Sequence, residues 1–250
     1  MAMAGDKFDF IAEALADEVY SRPRLNDVIY RYFPAYNEAS CNWVIGQLAN
    51  RNLISPLGNG YYVKGKPKWS YSCEKPYLTL LNKLMAEFPR TGIAAIGTEV
   101  LNKLSMMDGG YDNFIIEVDK RDMFPCYMKI RELSKKDILL TPTENELNYY
   151  LKPGAIILKP LFSKSPCQDD GLFSVEKLIV DLQCDRLVKT LYPHVSFNDS
   201  LLEIIETNSV NLITCLNYAK RRKCYDAVKE LLIEGTPSSY WKYLEANNND

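Results

Sequence analysis

The chain has 250 residues, of which 47% are apolar and 25% are charged, and its formal net charge is −2. This composition is typical of an ordinary globular protein with one large or two small domains. The sequence contains no uninterrupted apolar run of about 18 residues, and its first residues lack the basic and apolar regions of a secretory signal. We therefore expect a cytoplasmic protein with no membrane partner.

Seven cysteines and a single histidine, His194, limit the chemistry of the chain. The cysteines are irregularly spaced and include no CxxC pair, whereas a zinc site needs about four closely placed Cys or His ligands. A single histidine also excludes most serine and cysteine triads. We expect reduced, mostly buried thiols, no metal and no cofactor.

The charge is distributed unevenly along the chain. Residues 22–72 carry seven basic and two acidic side chains, a net charge of +5, whereas the segments on either side are net acidic. A local basic segment of this kind is consistent with a surface that contacts nucleic acid.

Within this basic segment and just before it, apolar residues recur at helical spacing. They predict helices over residues 7–20, 24–33 and 38–51. Leu53 and Ile54 begin a strand, residues 57–60 (LGNG) signal a turn, and residues 61–63 form the return strand. Three helices followed by a hairpin is the order of elements in a winged helix-turn-helix.

In a winged helix-turn-helix, the third helix lies in the major groove of DNA and the hairpin reaches the flanking backbone. Asparagine and glutamine bind base edges, while arginine and lysine bind phosphates and guanine. Residues that lie off the buried stripe of the third helix, or on the hairpin, are the predicted DNA contacts: Ser40, Asn42, Trp43, Gln47, Arg51, Lys64 and Lys66. Winged helices also serve as protein-binding or structural modules, and this alternative stays open.

Residues 69–76 predict a linker, which divides the chain into a winged-helix domain, 1–72, and a second domain, 73–250. Beyond the linker, short apolar runs predict strands over residues 93–97, 114–118, 137–141 and 155–160. Helices are predicted over residues 77–88, 98–105, 143–151, 173–189, 198–208 and 211–235, the last as one helix or two. Residues 120–132 are helical or irregular because they contain Pro125. The alternation indicates an α/β domain with a mixed or largely parallel sheet and a helical C-terminal part.

One pattern in the second domain suggests an enzyme. Nucleotidyltransferases of the polymerase-β type place a Gly-Ser pair at a helix start and two alternating carboxylates on a strand, where they hold a divalent metal. Here Gly97 and Thr98 open a predicted helix, and Glu117 and Asp119 lie at the end of a strand. The alternative is that these two acids are solvated charges at a strand end.

Two further groups of charges are notable. The run Lys220, Arg221, Arg222 and Lys223 is the densest basic cluster, and it predicts either a solvated helix face or a second nucleic-acid contact. Lys177 and Asp181 are four residues apart on a predicted helix, and this spacing predicts a surface ion pair.

Five stretches resemble the AbiEi-like antitoxins of bacterial type IV toxin–antitoxin and abortive-infection (phage-defence) loci. They are NRNLISPLGNGYYVKG (50–65), FIIEVDK (114–120), AIILKPLFSKSPCQ (155–168), VEKLIVDLQCD (175–185) and LNYAKRRKCYDAVKELL (216–232). The resemblance implies a winged helix-turn-helix followed by a nucleotidyltransferase-like domain without evident activity. The recognition helix of this chain departs from the family in carrying little positive charge.

The resemblance also implies a function. The first domain would bind the operator DNA of its own operon and repress transcription, mainly through Ser40, Asn42, Gln47, Arg51 and Lys64. The second domain would carry the antitoxin activity against a nucleotidyltransferase-like toxin, which need not touch it directly. We therefore expect a non-enzymatic DNA-binding regulator of the α/β (α+β) class. A metal-dependent nucleotidyltransferase that uses Glu117 and Asp119, or a winged-helix adaptor that binds protein, is the alternative.

Overall fold

The computed structural model describes residues 7–15, 19–71, 73–106 and 112–246. These residues form thirteen α-helices: α1 Lys7–Glu13, α2 Arg22–Tyr32, α3 Glu38–Asn50, α4 Lys75–Glu87, α5 Thr98–Leu104, α6 Met123–Leu133, α7 Glu144–Tyr150, α8 Val175–Cys184, α9 Arg186–Leu191, α10 Asn198–Thr207, α11 Leu212–Arg222, α12 Tyr225–Glu234 and α13 Ser238–Ala246. They also form seven strands: β1 Tyr20–Ser21, β2 Ile54–Gly58, β3 Tyr61–Lys64, β4 Ile93–Gly97, β5 Phe114–Val118, β6 Ile138–Leu140 and β7 Ile156–Pro160. A short 3₁₀ helix, Lys120–Asp122, precedes α6. The chain is therefore of mixed α and β class, as predicted.

The chain forms two compact units, and the first is discontinuous in sequence. It contains the residues up to Trp69, then residues 202–217, and then the chain from Tyr225 onward. The second unit contains residues 70–201 and 218–224. The sequence predicted that all residues after 72 belong to the second domain, whereas the structure groups most of the last fifty residues with the first unit. Periodicity within a helix does not indicate which distant segment that helix will pack against, so this grouping was not visible in the sequence.

The first unit begins with α1, the short strand β1, helices α2 and α3, and the hairpin β2–β3. Its sheet has the order β1-β3-β2, and both pairings are antiparallel. In the first pairing, Tyr20 lies opposite Tyr62. Residues 7–20 were predicted as one helix, but α1 ends at Glu13 and Tyr20 belongs to β1, a strand whose two residues give no detectable alternation.

The three helices of this part of the unit share one apolar core. The predicted stripe of α3, which consists of Cys41, Val44, Ile45 and Leu48, is buried. It packs in one cluster with α1 and α2 and with Ile54 of the hairpin. Full burial of each large aliphatic side chain contributes about 1.5–3 kcal/mol, so this stripe fixes which face of α3 is turned outward.

The turn of the hairpin depends on two glycines. Gly58 and Gly60 have φ values of +112° and +76°, which a residue with a Cβ atom rarely adopts. A Cβ atom on Gly58 would also lie 2.4 Å from the Cβ atom of Ile213, too close for real atoms. The residues LGNG therefore form the predicted turn, and the hairpin approaches the returning segment 202–217 of its own unit.

Three further contacts hold the hairpin and the residues after it to the returning segments. The Nζ of Lys66 donates to the carbonyl oxygen of Ile205 at 3.3 Å. The backbone N–H of Ser209 donates to the carbonyl oxygen of Pro67 at 2.8 Å. The rings of Tyr61 and Tyr243 lie 5.7 Å apart. These contacts explain why the C-terminal helices belong to the first unit.

The second unit is built on a four-stranded mixed sheet of order β4-β5-β7-β6. The strand β4 is antiparallel to β5, whereas β5, β7 and β6 run parallel to one another. One face of the sheet carries an apolar core that includes residues of α4 and α6. The other face presents Ile96, Ile115, Glu117 and Lys159 towards α8 and α9. Because side chains alternate along each strand, Glu117 of β5 and Lys159 of β7 lie on the same buried face of the sheet.

Several helix boundaries follow from residues visible in the sequence. Thr143 and Glu146 form the predicted capping box at the start of α7. Pro125 lies in the first turn of α6, where a proline is tolerated. The helix predicted over residues 173–189 is interrupted at Asp185, whose Oδ1 accepts a hydrogen bond from the N–H of Leu187 at 2.9 Å and caps α9. The segment 211–235 forms two helices, α11 and α12, and Lys223 between them has a φ of +60°.

Within the described ranges, no helix has the length and apolar character needed to cross a bilayer.

Candidate nucleic-acid interface and the buried charge ring

The outward face of α3 is polar and contains an exposed aromatic ring. The helix begins at Glu38 and is capped by Asn37, whose Oδ1 accepts a hydrogen bond from the N–H of Ser40 at 2.9 Å. Asn42 is exposed, and Trp43 retains 52% of its accessible surface although its ring lies 5.8 Å from that of Phe8. A large exposed tryptophan beside polar side chains is a common feature of interaction surfaces.

Asn42 is held in place by a residue that sequence analysis did not assign to the site. The guanidinium of Arg22, at the start of α2, donates to the Oδ1 of Asn42 at 2.6 Å. Both side chains are exposed, so their polar groups remain accessible from solvent. The position of Arg22 inside the basic segment was the only sequence signal that could have indicated this contact.

The other predicted residues at α3 and its C-terminal end differ in exposure. The hydroxyl of Ser40 donates to the Oδ1 of Asn37 at 3.1 Å, so it supports the start of the helix. Gln47 is half-buried. Arg51 is exposed, and its guanidinium lies 4.2 Å from the centre of the Phe8 ring. The structure therefore brings Asn42, Trp43 and Arg51 to the surface, whereas Ser40 and Gln47 are half-buried.

The two predicted lysines near the end of the hairpin differ in environment. Lys64 ends β3 and is exposed. Lys66 is half-buried and bonded to the carbonyl oxygen of Ile205, and burial lowers its pKa. Lys66 therefore takes part in packing within the first unit, and its predicted contact with DNA stays a prediction.

In the second unit, six charged side chains meet between the sheet and the helices α8, α9 and α11. They are Glu117, Lys159, Lys177, Asp181, Asp185 and Arg222, and we call them the charge ring. Glu117, Lys177, Asp181 and Asp185 are buried, while Lys159 and Arg222 expose 16% and 12% of their side chains. Buried charges are stable only when they are paired, and the contacts within the ring show how this pairing is achieved.

Each pair of carboxylates in the ring is bridged by one cation. The Nζ of Lys177 lies 2.7 Å from Glu117 and 2.6 Å from Asp181. The Nζ of Lys159 lies 3.0 Å from Glu117 and 2.7 Å from Asp185. The guanidinium of Arg222 lies 2.9 Å from Asp185 and 3.5 Å from Asp181. Positive and negative groups therefore alternate in a closed cycle whose net charge is zero.

Pairing outweighs the cost of burial for Lys177 and Asp185, whereas burial, the largest influence on Asp181, raises the pKa of that carboxyl. Burial opposes the charge on Lys177, but the carboxylates of Glu117 and Asp181 more than compensate, and its pKa is raised. Burial likewise favours the neutral form of Asp185, yet Lys159 and Arg222 hold its pKa well below the usual range of an aspartate. The hydroxyl of Tyr218 adds a hydrogen bond to the Oδ1 of Asp181 at 3.0 Å.

The three carboxylates come within 4.8 Å of one another, a spacing that would suit a metal ion. Three protein cations already balance them, however, and the remaining cavity beside Glu117, Asp181 and Asp185 measures about 10 Å³, close to the size of one water molecule. The arrangement therefore acts as a self-neutralised polar core that links two strands to three helix segments.

The acids of the predicted nucleotidyltransferase pair have different partners. Glu117 belongs to the charge ring and is 1% exposed, so the interpretation of it as a solvated charge is wrong. Asp119 lies beyond the end of β5, where its carboxylate accepts a hydrogen bond from the N–H of Gly92 at 2.9 Å. Thr98 is buried, and its hydroxyl accepts a hydrogen bond from the N–H of Asn113 at 2.7 Å.

One of the two predictions about charge clusters is corrected, and the other stays a prediction. Lys177 and Asp181 do form an ion pair, but it is buried within the ring rather than lying on the surface. In the basic run, Arg222 is bound into the ring, and Arg221 donates to the carbonyl oxygen of Lys164 at 2.7 Å. Lys220 and Lys223 are exposed. The four residues therefore do not form one continuous basic surface.

Comparison with known proteins identifies a family but no activity. No curated protein matches the chain. Among solved structures, the crystal structure of the RV2827C protein from Mycobacterium tuberculosis is similar over 92% of this chain and 80% of that chain, with 12% identity and a TM-score of 0.21. This similarity is too weak to support an argument about fold or function. Residues 40–238 match the family of unknown function DUF6577, and the chain therefore belongs to that family.

Proposed function

We propose that the first unit is a winged helix-turn-helix that binds DNA, with α3 as the recognition helix and the hairpin β2–β3 as the wing. The observation that carries this proposal is the succession of α1, β1, α2, α3 and the hairpin, together with a sheet in which β1 pairs with the return strand of the hairpin. In winged-helix proteins this arrangement presents the outer face of the third helix to the major groove.

The side chains on this surface supply suitable contacts. Asn42 offers an amide for base edges, and the neighbouring Arg22 both orients that amide and adds a positive charge. Lys64 and Arg51 are exposed and bind backbone phosphates in the proposed complex. Trp43 adds an exposed ring beside Asn42 on the same helix.

We further propose that DNA binding serves autorepression, and that the chain acts as an antitoxin in a bacterial toxin–antitoxin or phage-defence locus. This step rests on the resemblance to AbiEi-like antitoxins. The second unit is not a metal-dependent nucleotidyltransferase in this proposal, because Lys159 and Lys177 neutralise the carboxylate of Glu117. The adaptor alternative predicts instead that the α3 surface captures a protein in the absence of DNA.

The primary test is binding of the full chain to the DNA upstream of its own gene, measured by fluorescence anisotropy between about 50 and 200 mM salt. We expect affinity to fall as salt rises because phosphate contacts release counterions. Asn42→Ala should reduce the preference for this DNA over a scrambled sequence by about 1–3 kcal/mol. The matched control is Asn82→Ala, which changes an exposed asparagine of the second unit. Absence of binding at low salt would refute the proposal.

The antitoxin role has a separate test. The neighbouring gene is expressed in a bacterial host with and without this chain, and growth is recorded. We expect the neighbouring product to stop growth and this chain to restore it. Restoration should persist in the Asn42→Ala variant, because the proposal assigns the antitoxin activity to the second unit. A neighbouring product that has no effect on growth would remove the antitoxin proposal and leave the DNA-binding proposal intact.

A further inference from the structure

Two cysteine thiols meet at the ends of α8 and α11 in the second unit. Cys184 is the last residue of α8, and Cys224 lies two residues beyond the end of α11. The two thiols lie close enough for each to shift the pKa of the other, both residues are partly exposed, and the Sγ of Cys224 also lies 3.9 Å from the carbonyl oxygen of Ala219. The left-handed backbone of Lys223 and the hydrogen bond from the N–H of Cys224 to the carbonyl oxygen of Ala219, at 3.1 Å, fix the position of Cys224.

The charge ring places a cation beside one of these sulfurs. The Nε of Arg222 donates to the Sγ of Cys184 at 3.4 Å, while another nitrogen of the same guanidinium donates to Asp185 at 2.9 Å. The guanidinium is thus held in position by the ring and directs one N–H at the sulfur. The Sγ of Cys184 also lies 3.3 Å from the carbonyl oxygen of Val180, which accepts the thiol proton in the neutral form.

These contacts make the two thiols unequal. The neighbouring Cys224 thiol, followed by Arg222, lowers the pKa of Cys184 to about 7, although burial and the charge of Asp181 act in the opposite direction. The same contact with Cys184 raises the pKa of Cys224. Near neutral pH, a large fraction of Cys184 is therefore thiolate, the nucleophilic form, while Cys224 keeps its proton.

The other five cysteines are either buried or, in one case, exposed with a raised thiol pKa. Cys41, Cys73, Cys126 and Cys215 are buried. Cys167 is an exposed residue, but the desolvation of its sulfur raises its pKa to about 11. Reactivity towards oxidants follows thiolate character and access, so Cys184 differs from all of them.

We propose that Cys184 and Cys224 form an oxidisable dithiol, in which Cys184 is the site attacked by a hydroperoxide and Cys224 closes an intrachain disulfide. This inference goes beyond DNA binding and does not depend on it. It rests on the N–H that Arg222 directs at Cys184 at 3.4 Å, on the position of Cys224 two residues after Arg222 at the end of α11, and on the partial exposure of both cysteines.

Hydrogen peroxide, as the oxidant, converts the two thiols to a disulfide in two steps. The Cys184 thiolate attacks one peroxide oxygen, the O–O bond breaks, and hydroxide leaves, which gives a sulfenic acid on Cys184. Cys224 then loses its proton, and its sulfur attacks the Cys184 sulfur. The S–O bond breaks, and the departing hydroxide takes up that proton as water. The two thiols are oxidised by two electrons, and the peroxide is reduced to water.

The first test treats the reduced full-length protein with graded hydrogen peroxide and then blocks the remaining thiols with N-ethylmaleimide. Peptide mass spectrometry should find one peptide pair joined through Cys184 and Cys224, two hydrogens lighter than the sum of its parts. In Cys224→Ser, dimedone should label the sulfenic acid on Cys184. Cys167→Ser, the matched control, should form the disulfide to the same extent as the wild type.

A second measurement does not depend on any variant. Alkylation of Cys184 by iodoacetamide in the wild-type protein, followed by peptide mass spectrometry, should show an inflection near pH 7, compared with about 8.5 for an ordinary thiol. An inflection near 8.5 would overturn the proposal. So would peroxide treatment that oxidises Cys167 while no peptide joins Cys184 to Cys224.

Discussion

The two units of the chain place their charged side chains in opposite environments. In the second unit, three carboxylates and three cations are removed from water and satisfy one another in a closed cycle. In the first unit, Arg22, Arg51 and Lys64 remain exposed around the polar face of α3. Charges that are already neutralised within the fold are unavailable to a ligand, whereas exposed charges can exchange water for phosphate. The comparison therefore separates charges that hold the fold together from charges suited to recognition.

The largest expected effect concerns the buried charges of the second unit. Lys177→Met removes the cation that bridges Glu117 and Asp181 and leaves two buried carboxylates short of a partner. We expect the free energy of unfolding to fall by about 3–5 kcal/mol in denaturant titrations. The control is Lys152→Met, which breaks an exposed ion pair with Asp137 at 3.0 Å and should cost at most about 1 kcal/mol. Equal effects of the two variants would contradict the assignment of the ring as a structural core.

A smaller effect should follow from removing one hydroxyl group that contacts the charge ring, where it donates to Asp181 at 3.0 Å and accepts from the Nζ of Lys177 at 3.4 Å. Tyr218→Phe deletes the hydroxyl that donates to Asp181 while keeping the buried aromatic ring. We expect a loss of about 1.5–3 kcal/mol, since the acceptor is a buried charge. Tyr149→Phe, at a tyrosine that is 80% exposed, is the control and should leave the unfolding midpoint unchanged. A Tyr218→Phe variant as stable as the control would show that Lys177 and Arg222 satisfy Asp181 without the hydroxyl.

The smallest effect on stability is expected for an exposed charge of the first unit. Lys64→Ala should change the free energy of unfolding by less than about 0.5 kcal/mol, because the side chain is exposed at the end of the hairpin. In the proposed DNA complex, it should weaken binding to all sequences and reduce the salt slope by about 1. Denaturant titration and anisotropy on the same preparation measure the two quantities. A large loss of stability with an unchanged salt slope would show instead that Lys64 stabilises the fold and does not contact DNA.

Much of the local structure was visible in the sequence because it depends on neighbouring residues. The strands at 93–97 and 114–118, the capping box at Thr143 and the glycine turn of the hairpin were confirmed. The site was less predictable. A spacing of four residues shows that Lys177 and Asp181 are neighbours on a helix. It does not show that the pair is buried against Glu117, which is 60 residues away from Lys177 in the chain. The contact between Arg22 and Asn42 likewise depends on the packing of α2 against α3.

The discontinuity of the first unit has a consequence for the order of events during synthesis. The hairpin emerges from the ribosome well before Ile205, which lies 139 residues after Lys66 in the chain. At roughly 5–20 residues per second, the hairpin waits on the order of ten seconds for the helices that cover it. The residues from 70 to 201 are complete during this interval. The contacts that hold the hairpin to the last helices can therefore form only at the end of translation, so premature termination should impair the part of the chain that was made first.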